Sequence, residues 1–463
     1  MGNAGLDAAI TAMQRAGVDE TAILTFAHYY AQLEGGVTGM IPEAGIEPVD
    51  IHSIGDVVVR PTDAAHAIRT TAVIKLNGGL GTSMGMDYAK SLLSVRSGLS
   101  FLDIAVRQVL HLRGAYHARL PLIFMNSYRT SRDTRDAIAR YETLATPGLP
   151  LEFLQNKEPR LRVDDLTPVA WPADHELEWC PPGHGDIYTS LHGTGLLDLL
   201  LEQGFERIFV SNSDNLGAVP DARIAGWFAR SGAPFAIEAV RRTASDRKGG
   251  HFIRRTCDDR IVLRESAQIQ ASDAADANNI DKHRYMSTNN LWVDLEALRT
   301  ALDERGGILG LPMIRNEKNV DPSDSSTPKV IQIETAMGAA IEVFDGAELI
   351  EVGRDRFVPV KTTNDLLVLR SDVYELNDEY VLTQVPEDVP FVDLDSDHYR
   401  LVGDFEKRFP DGIPSLEKAD SLRITGDVTF GPGIQVVGHA RVTAPHSARL
   451  SGGTVLSGDT RLD

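Results

Sequence analysis

Residues 73–90, VIKLNGGLGTSMGMDYAK, constrain the fold most, because four glycines separate an apolar run from a lysine. The β-branched run from Thr71 to Ile74 predicts a buried strand. The glycines that follow tolerate left-handed or crowded backbone, so amide N–H groups can turn toward an anion without Cβ atoms in the way. The segment therefore predicts a phosphate-binding loop between a strand and a helix. A glycine-rich turn without a ligand is the alternative, and the lysine argues against it.

The spacing of these glycines excludes two common nucleotide-binding loops. A Walker A loop has a lysine directly after its closing glycine, whereas here Met86 follows Gly85. A Rossmann fingerprint has glycines at its first, third and sixth positions, but the sixth position counted from Gly79 is Met84. The loop is therefore of another kind.

Composition narrows the class of protein. The chain has 463 residues, enough for two or three domains, and its 42% hydrophobic and 24% charged residues are ordinary for a globular protein. The net charge of -20 argues against sequence-independent binding to nucleic acid or to an anionic membrane. A phosphorylated ligand must therefore meet local basic residues. Cys180 and Cys257 are too few for a disulfide framework or a cysteine metal site.

No targeting or membrane segment is predicted. The first thirty residues lack a basic stretch followed by an apolar core. The densest apolar run, residues 196–201, is interrupted by Asp198. We expect a cytoplasmic protein.

Three domains are predicted. Residues 1–70 form an N-terminal helical segment, because apolar residues recur at helical spacings until Gly35 and Gly36 end the pattern. Residues 71–375 alternate β-branched runs with helix-like stretches, which predicts an α/β domain with a largely parallel sheet. Ligands bind beyond the carboxyl ends of strands in such sheets. The β-branched runs are residues 71–76, 120–125, 207–211 and 235–240.

The third predicted domain is residues 376–463, and its last forty residues have a six-residue apolar period with Gly and Pro between the apolar positions. This period predicts a parallel β-helix, and a few irregular hairpins are the alternative. Such a domain could serve as a lid, a cap or an assembly surface. The two periodic sets are Ile424, Phe430, Val436, Val442 and Ala448, and Leu422, Val428, Ile434 and Ala440.

Three further segments carry candidate ligand-binding residues. His184 lies between glycines in PPGHGD, so it is either a ligand contact or a structural histidine. Asp214 follows an apolar run in SNSDN, where a carboxylate either binds Mg²⁺ or closes an Asx turn. Lys361 follows the apolar run 357–360 and, taken alone, resembles any surface lysine.

Taken together, eight motifs resemble one family, the UTP–glucose-1-phosphate uridylyltransferases of the eukaryotic-type group. The motifs occur in the family's order and cover most of the chain. They are KLNGGLGTSMG (75–85), AKSLL (89–93), QNKEPR (155–160), PPGHGDIY (181–188), SNSDNLG (211–217), STNNLW (287–292), IQIETAMGAAI (331–341) and VPVKTTNDLL (358–367). The resemblance implies a Rossmann-like, GT-A-like nucleotidyltransferase domain with a mixed sheet, followed by a left-handed parallel β-helix.

The resemblance also implies the residues of the site. Lys90 and Lys361 would be catalytic, and Asp214 would hold Mg²⁺. Gln155 and Gly183 would hydrogen-bond the uracil. The UTP-binding residues would be Leu76, Asn77, Gly78, Gly79, Lys90, Gln155, Gly183, Asp214 and Lys361. Those on the sugar phosphate side would be Gly78, Gly79, His184, Asn212, Ser213, Asp214, Asn289, Asn290 and Glu334.

The implied reaction is direct displacement at the α-phosphorus of UTP by a phosphate oxygen of glucose 1-phosphate. The attacking oxygen is already anionic, so no protein base is needed, and His184 is expected to donate a hydrogen bond. One departure is visible: many members carry glycine and proline just before the AKS lysine, where this chain has residues 86–89, MDYA. Asp87 could therefore lie near phosphate or metal.

Three alternatives remain at this point. The same chemistry could act on another sugar 1-phosphate, such as that of an N-acetylhexosamine, or on a broad range of sugar 1-phosphates, although Ser83 after Gly81-Thr82 favours glucose. A β-helix acyltransferase would need many more repeats and a histidine base, for which only His439 and His446 are available. A nucleotide-sugar sensor without catalysis is the third. The C-terminal domain could also mediate assembly into a homo-oligomer.

Overall fold

The computed structural model describes residues 4–243, 246, 249–322 and 324–462. Its α-helices are α1 Ala4–Arg15, α2 Glu20–Glu34, α3 Pro61–Arg69, α4 Phe101–Tyr116, α5 Ser131–Ile138, α6 Asp186–Gly193, α7 Leu196–Glu202, α8 Ala222–Ser231, α9 Ala274–Ala277, α10 Leu295–Glu304, α11 Thr363–Arg370, α12 Ser396–Tyr399 and α13 Val402–Arg408. In this described part of the chain, no helix is both long and apolar enough to span a membrane.

The strands are β1 Ile46–Pro48, β2 His52–Ser53, β3 Thr71–Asn77, β4 Ser94–Arg96, β5 Leu99–Ser100, β6 Leu122–Asn126, β7 Glu152–Leu154, β8 Glu158–Pro159, β9 Leu161–Arg162, β10 Trp179–Cys180, β11 Arg207–Asn212, β12 Phe235–Arg241, β13 His251–Arg255, β14 Arg260–Arg264, β15 Tyr285–Asp294, β16 Met313–Asn319, β17 Lys329–Thr335, β18 Glu348–Glu351, β19 Tyr374–Leu376, β20 Leu382–Gln384, β21 Phe391–Leu394, β22 Ser415–Thr425, β23 Val428–Phe430, β24 Gln435–Thr443, β25 Ala448–Leu450 and β26 Val455–Arg461.

The predicted N-terminal helical pattern forms two helices, α1 and α2. Gly17, with φ +68°, lies in the turn between them, and the Asp19 carboxylate accepts the Thr21 N–H at 2.9 Å to cap α2. The apolar faces of both helices, including Met13 and Phe26, pack against β17. Because β2 joins the central sheet and α3 packs beside it, residues 1–70 are not all separate from the next domain. The boundary at residue 70 stays a prediction.

The central sheet has eight strands in the order β2-β18-β12-β15-β11-β3-β6-β7. β15 pairs antiparallel with both β11 and β12, while the other neighbouring pairs in this sheet are parallel. The mixed α/β sheet is therefore confirmed, with one antiparallel strand in its centre. The carboxyl ends of β3, β6 and β11 lie side by side, because Asn77 is level with Asn126 and Leu76 with Asn212.

The segment after the glycine loop differs from the predicted helix. Lys90 begins a short 3-10 turn that ends at Leu92, and the hairpin β4–β5 follows. The helix α4 begins only at Phe101, where Ser100 and Asp103 form a reciprocal capping box. Lys90 therefore lies in a compact turn and not at the start of a long helix.

The C-terminal strands pair in parallel, β21 with β22, β22 with β24, β24 with β26 and β23 with β25. Most residues of the two periodic apolar sets are buried, and Ala448 is half-buried. The core of this region also contains Met84 and Met86 of the glycine loop. A Cβ atom on Gly85, which has φ +74°, would lie 3.0 Å from Cδ2 of Leu401. The glycine loop therefore packs directly against the C-terminal part of the chain.

Candidate active site

Three residues predicted to contact the base, Gln155, Gly183 and Gly78, lie close together and form what we call the Gln155 cluster. The Gln155 Nε2 donates to the Gly183 carbonyl at 2.8 Å, and its Oε1 would lie 2.9 Å from a Cβ atom on Gly78. The Ser127 hydroxyl donates to the Gly78 carbonyl at 3.0 Å. The loop after β3 and the loop after β6 therefore meet at the amide of Gln155, where a larger residue than glycine at position 78 would displace that amide.

The loop around Gly183 lies against the end of β17. Gly183 has φ +80°, and a Cβ atom there would lie 2.5 Å from the carbonyl oxygen of Thr335. The Gly185 N–H donates to that same carbonyl at 2.8 Å. The close approach of the two backbones therefore requires glycine at position 183, while a Cβ atom on Gly185 would meet the Thr335 side chain, and the contact places Glu334 beside Gly183.

His184 is held in one orientation by the backbone of Met337. The Met337 N–H donates to the Nδ1 of His184 at 2.9 Å. Burial lowers the pKa of His184, with Glu334 opposing that shift, so the ring is neutral near pH 7. In the neutral ring that accepts at Nδ1, the proton is on Nε2. His184 can therefore donate a hydrogen bond from Nε2, as its predicted role requires.

Lys90 and Asp214 form an ion pair at the carboxyl edge of the sheet. The Nζ of Lys90 lies 2.6 Å from the Oδ2 of Asp214, and it also donates to the carbonyl of Val360. Both side chains remain reachable from solvent, at 16% and 22% exposed. Three motifs that are far apart in the sequence therefore converge on one ammonium group.

Lys361 is exposed beside this ion pair. The N–H of Lys361 donates to the Asp365 carboxylate at 2.8 Å, and Thr362 and Asp365 cap α11 reciprocally. No hydrogen bond or ion pair engages the Lys361 ammonium within the residues that the structure describes. Its charge is therefore available to a ligand.

Asn215, which sequence reasoning missed, joins the Asp214 loop to the Lys361 segment. Its Oδ1 accepts the Val358 N–H at 2.9 Å, and its backbone bridges to Pro359. Its Nδ2 donates to the Arg356 carbonyl at 3.1 Å. The only sequence signal was its place directly after Asp214 in an already selected motif.

Glu265 is a second residue that the sequence did not single out. Burial raises the pKa of its carboxyl group, and the positive charge of Lys361 opposes that shift. A Cβ atom on Gly250 would lie 2.7 Å from its Oε2. A half-buried carboxyl group therefore lies within the electrostatic range of the candidate catalytic lysine.

The candidate sugar-binding residues separate into two groups. Asn289 lies in β15 with φ +59°, beside the irregular register between β12 and β15, and its side chain is half-buried. Asn290 is fully buried, and its Nδ2 donates to Glu238 at 2.9 Å. Its sugar-binding role stays a prediction, and these contacts favour a structural one. Glu334 is half-buried and accepts hydrogen bonds from Asn316 and Lys318.

The remaining predicted residues lie along β3 and β11. Leu76 accepts the Ser213 N–H at 3.0 Å, which extends the pairing of the two strands to the site. Asn212 is level with Leu76 and half-buried. The Asn77 side chain is buried and donates to Asn126 and Thr134, so only its backbone is suited to ligand contact. Gly79 is exposed at the loop surface.

Comparisons with known proteins agree on one family. The family model described as UTP--glucose-1-phosphate uridylyltransferase matches residues 26–436. Curated relatives of that name are 38% identical in Pyrus pyrifolia, over 84% of this chain and 81% of the relative, and 39% identical in Saccharomyces cerevisiae, over 83% and 76%.

Solved structures give the same result. A UDP-glucose phosphorylase from Trypanosoma brucei superposes with a TM-score of 0.93 at 40% identity, covering 99% of this chain and 100% of that one. A UDP-glucose pyrophosphorylase variant from Leishmania major, in complex with UDP-glucose, superposes with a TM-score of 0.92 at 39% identity over 100% of both chains.

Proposed function

The chain belongs to the UTP–glucose-1-phosphate uridylyltransferase family, and from this premise we propose that it converts UTP and glucose 1-phosphate to UDP-glucose and pyrophosphate. The observation that carries this proposal is the convergence of Lys90, Asp214 and the Val360–Lys361 segment. The second part of the site is the Gln155 cluster. One part of that arrangement suits an anion, and the other suits the polar edge of a base.

The reaction needs positioning and positive charge more than proton transfer. A phosphate oxygen of glucose 1-phosphate forms a bond to the α-phosphorus of UTP, and the bond from that phosphorus to the bridging oxygen of pyrophosphate breaks. The two anions repel, so preorganised cations contribute most of the stabilisation. Lys90 and Lys361 are the cations proposed to supply such charge, and Lys90 pairs with Asp214 and donates to the carbonyl of Val360, the residue before Lys361. No covalent enzyme intermediate is required.

Asp214 is the residue proposed to hold Mg²⁺. Among the described residues there is no group of three or more His, Cys, Asp or Glu side chains able to hold a metal. The single carboxylate of Asp214 fits Mg²⁺, which commonly takes one or two carboxylates and completes its shell with substrate phosphates and water. When bound, the ion would neutralise phosphate charge, and Asp214 would hold it.

Recognition of the substrates would involve two groups of residues. The amide of Gln155 is half-buried and would pair with the uracil edge, because an amide placed to hydrogen-bond one base rejects a base that leaves it unpaired. The Nε2–H of His184 would donate to the sugar phosphate side. Asn289, Asn212 and Glu334 are the further candidates there.

The finer parts of the fold belong to this proposal too. The register pairs Ile424 with Val442 and Leu422 with Ala440, one coil of 18 residues or three six-residue steps, which supports a parallel β-helix. A GT-A-like catalytic domain is supported by the position of the site at the carboxyl ends of the strands. A cytoplasmic location and assembly through the C-terminal strands stay predictions.

A substrate screen tests the function. Purified protein with UTP, Mg²⁺ and each of several sugar 1-phosphates is assayed for pyrophosphate release, and we expect glucose 1-phosphate to give the highest kcat/KM. Higher activity with N-acetylglucosamine or galactose 1-phosphate would reassign the sugar. Binding of UDP-glucose without pyrophosphate release from any sugar phosphate would instead support a sensor.

A further inference from the structure

Lys75 lies one residue before the predicted nucleotide-binding loop residues, yet it is 2% exposed and faces the interior. It occupies β3, level with Ser211 of β11. Its Nζ donates to the Ser211 Oγ at 2.8 Å and to the Ala218 carbonyl at 2.8 Å. A fully buried lysine is rare, because desolvation of an ammonium group is costly unless acceptors replace water.

The two acceptors lie at the two ends of one loop. Ser211 precedes Asn212, and Ala218 follows Gly217, so the loop between them contains Asp214 and Asn215. One ammonium group therefore connects both ends of the segment that carries the proposed metal ligand. The contacts of Asn215 with Val358 and Pro359 connect the loop to the Lys361 segment as well.

We propose that Lys75 is a positioning residue, whose ammonium group holds the two ends of the 211–218 loop and so fixes the Asp214 carboxylate where it can bind a nucleotide-bound divalent cation. This inference rests on the proposed role of Asp214. Lys75 itself does not reach the substrate, because its side chain is enclosed by the strands and by the loop that it holds.

The groups around Lys75 act on its charge in both directions. Burial lowers the pKa of Lys75 to about 7, and Arg356 acts in the same direction, while Asp214 and Glu238 oppose them. Lys75 and Asp214 therefore interact electrostatically although they share no hydrogen bond among the described contacts. A shorter or apolar side chain at position 75 would leave both loop ends without their shared donor.

The test measures the affinity for UTP by calorimetry, once with Mn²⁺ and once with EDTA, and divides the first value by the second. A general weakening of UTP binding lowers both affinities and leaves this ratio unchanged, whereas a damaged metal site lowers it. Lys75→Met is expected to lower the ratio about tenfold, as outer-shell partners of metal ligands commonly do. Ser211→Ala removes only one acceptor and is expected to lower the ratio less. It decides the question if Lys75→Met does not fold.

Arg207→Met is the matched control. Arg207 is a buried cation in β11, the strand that also holds Ser211, but it lies at the opposite end, where it donates to the Ala67 carbonyl. We expect this variant to keep the wild-type ratio even if it unfolds more readily. If Lys75→Met and Ser211→Ala both have the same ratio as the wild type, this inference alone is overturned. If the ratio of the wild-type protein itself is near one, the metal role of Asp214 is overturned as well. Failure of the substrate screen would overturn the proposed function separately.

Discussion

The Nζ of Lys90 lies 2.6 Å from the Oδ2 of Asp214. The lysine predicted to bind phosphate and the carboxylate predicted to bind the metal therefore neutralise each other's charge. Both proposed roles require the partners to separate, at least in part. A nucleotide phosphate and a divalent cation would therefore replace one ion pair with two new ones.

This relationship predicts opposite effects of Lys90→Met on two ligands. Without nucleotide, Mn²⁺ binding is expected to strengthen about fivefold, because an ion pair of roughly 1 kcal/mol no longer competes for Asp214. UTP binding is expected to weaken, because a phosphate contact is lost. Electron paramagnetic resonance measures free Mn²⁺, and calorimetry measures UTP binding. Lys407→Met, which breaks a surface pair with Asp404, is the control. Weaker binding of both ligands would contradict the prediction.

Lys361→Ala is expected to lower kcat by about 10²–10³, as removal of one preorganised charge-stabilising donor does, with a much smaller change in the KM for UTP. The free energy of unfolding should not change, since the ammonium group has no protein partner in the described structure. Steady-state kinetics and urea unfolding provide the two measurements. Lys329→Ala, an exposed lysine of β17, serves as the control. Equal losses in kcat and in UTP affinity would argue against a transition-state role.

Gln155→Ala is expected to reduce discrimination between UTP and CTP about five- to tenfold, the worth of roughly one hydrogen bond. Gly78→Ala should act in the same direction, because its Cβ atom would lie 2.9 Å from the Gln155 Oε1. The double variant should therefore lose less than the sum of the two single variants. Gly114→Ala is the control, since a Cβ atom there meets no atom within 4 Å. The measurement is the ratio of kcat/KM for UTP to kcat/KM for CTP in each variant. If the losses of the two single variants add fully in the double variant, the two residues act independently.

Asn215→Ala is expected to lower kcat, because it detaches the Lys361 segment from the Asp214 loop. Its lost hydrogen bonds should also reduce the free energy of unfolding by about 1–3 kcal/mol. The informative measurement is Lys361→Ala made in the Asn215→Ala background. There the further loss of kcat should be smaller than in the wild type, whereas an undiminished loss would show that the two residues act independently.

Glu43 provides a prediction of pH-dependent stability. Burial tends to raise its pKa, but hydrogen bonds from Lys282, His283 and Arg264 outweigh that effect and lower the pKa from 4.5 to about 2. A lowered pKa means that the ionised carboxylate stabilises the folded state above pH 4.5, and that this stabilisation is lost as the pH falls toward 2.

Glu43→Gln is therefore expected to reduce the free energy of unfolding by roughly 2–3 kcal/mol at pH 7, with a difference that shrinks by about pH 3. Urea unfolding at several pH values measures this difference. Glu47→Gln, an exposed residue of the same segment, should have little effect at any pH. A Glu43→Gln deficit that is as large at low pH as at pH 7 would exclude the carboxylate charge as its cause.

Local patterns predicted candidate site residues where the backbone dictates the residue type. Gly183 was recognisable because it has φ +80° and a Cβ atom there would lie 2.5 Å from a backbone oxygen, whereas a Cβ atom on Gly78 would meet the Gln155 side chain. Lys75 and Asn215 were not, because their roles arise from contacts across large sequence separations, such as 136 residues between Lys75 and Ser211. The sequence also does not distinguish Asn289, which is half-buried, from its neighbour Asn290, which is buried and hydrogen-bonded to Glu238.

The central sheet shows the same limit. An apolar run such as that of β15 predicts a buried strand but carries no information on its direction, so the antiparallel pairing could not be read. The predicted helix after Lys90 was wrong because the hairpin β4–β5 intervenes before the capping box at Ser100.

The contact between Gly85 and Leu401 has a consequence for the order of events during synthesis. The glycine loop leaves the ribosome early, but Met84 and Met86 pack into a core most of whose other members lie from Val358 onward. A nascent polypeptide that ends near residue 375 lacks much of that packing. We therefore expect the glycine loop to reach its final packing only after the C-terminal strands have been synthesised.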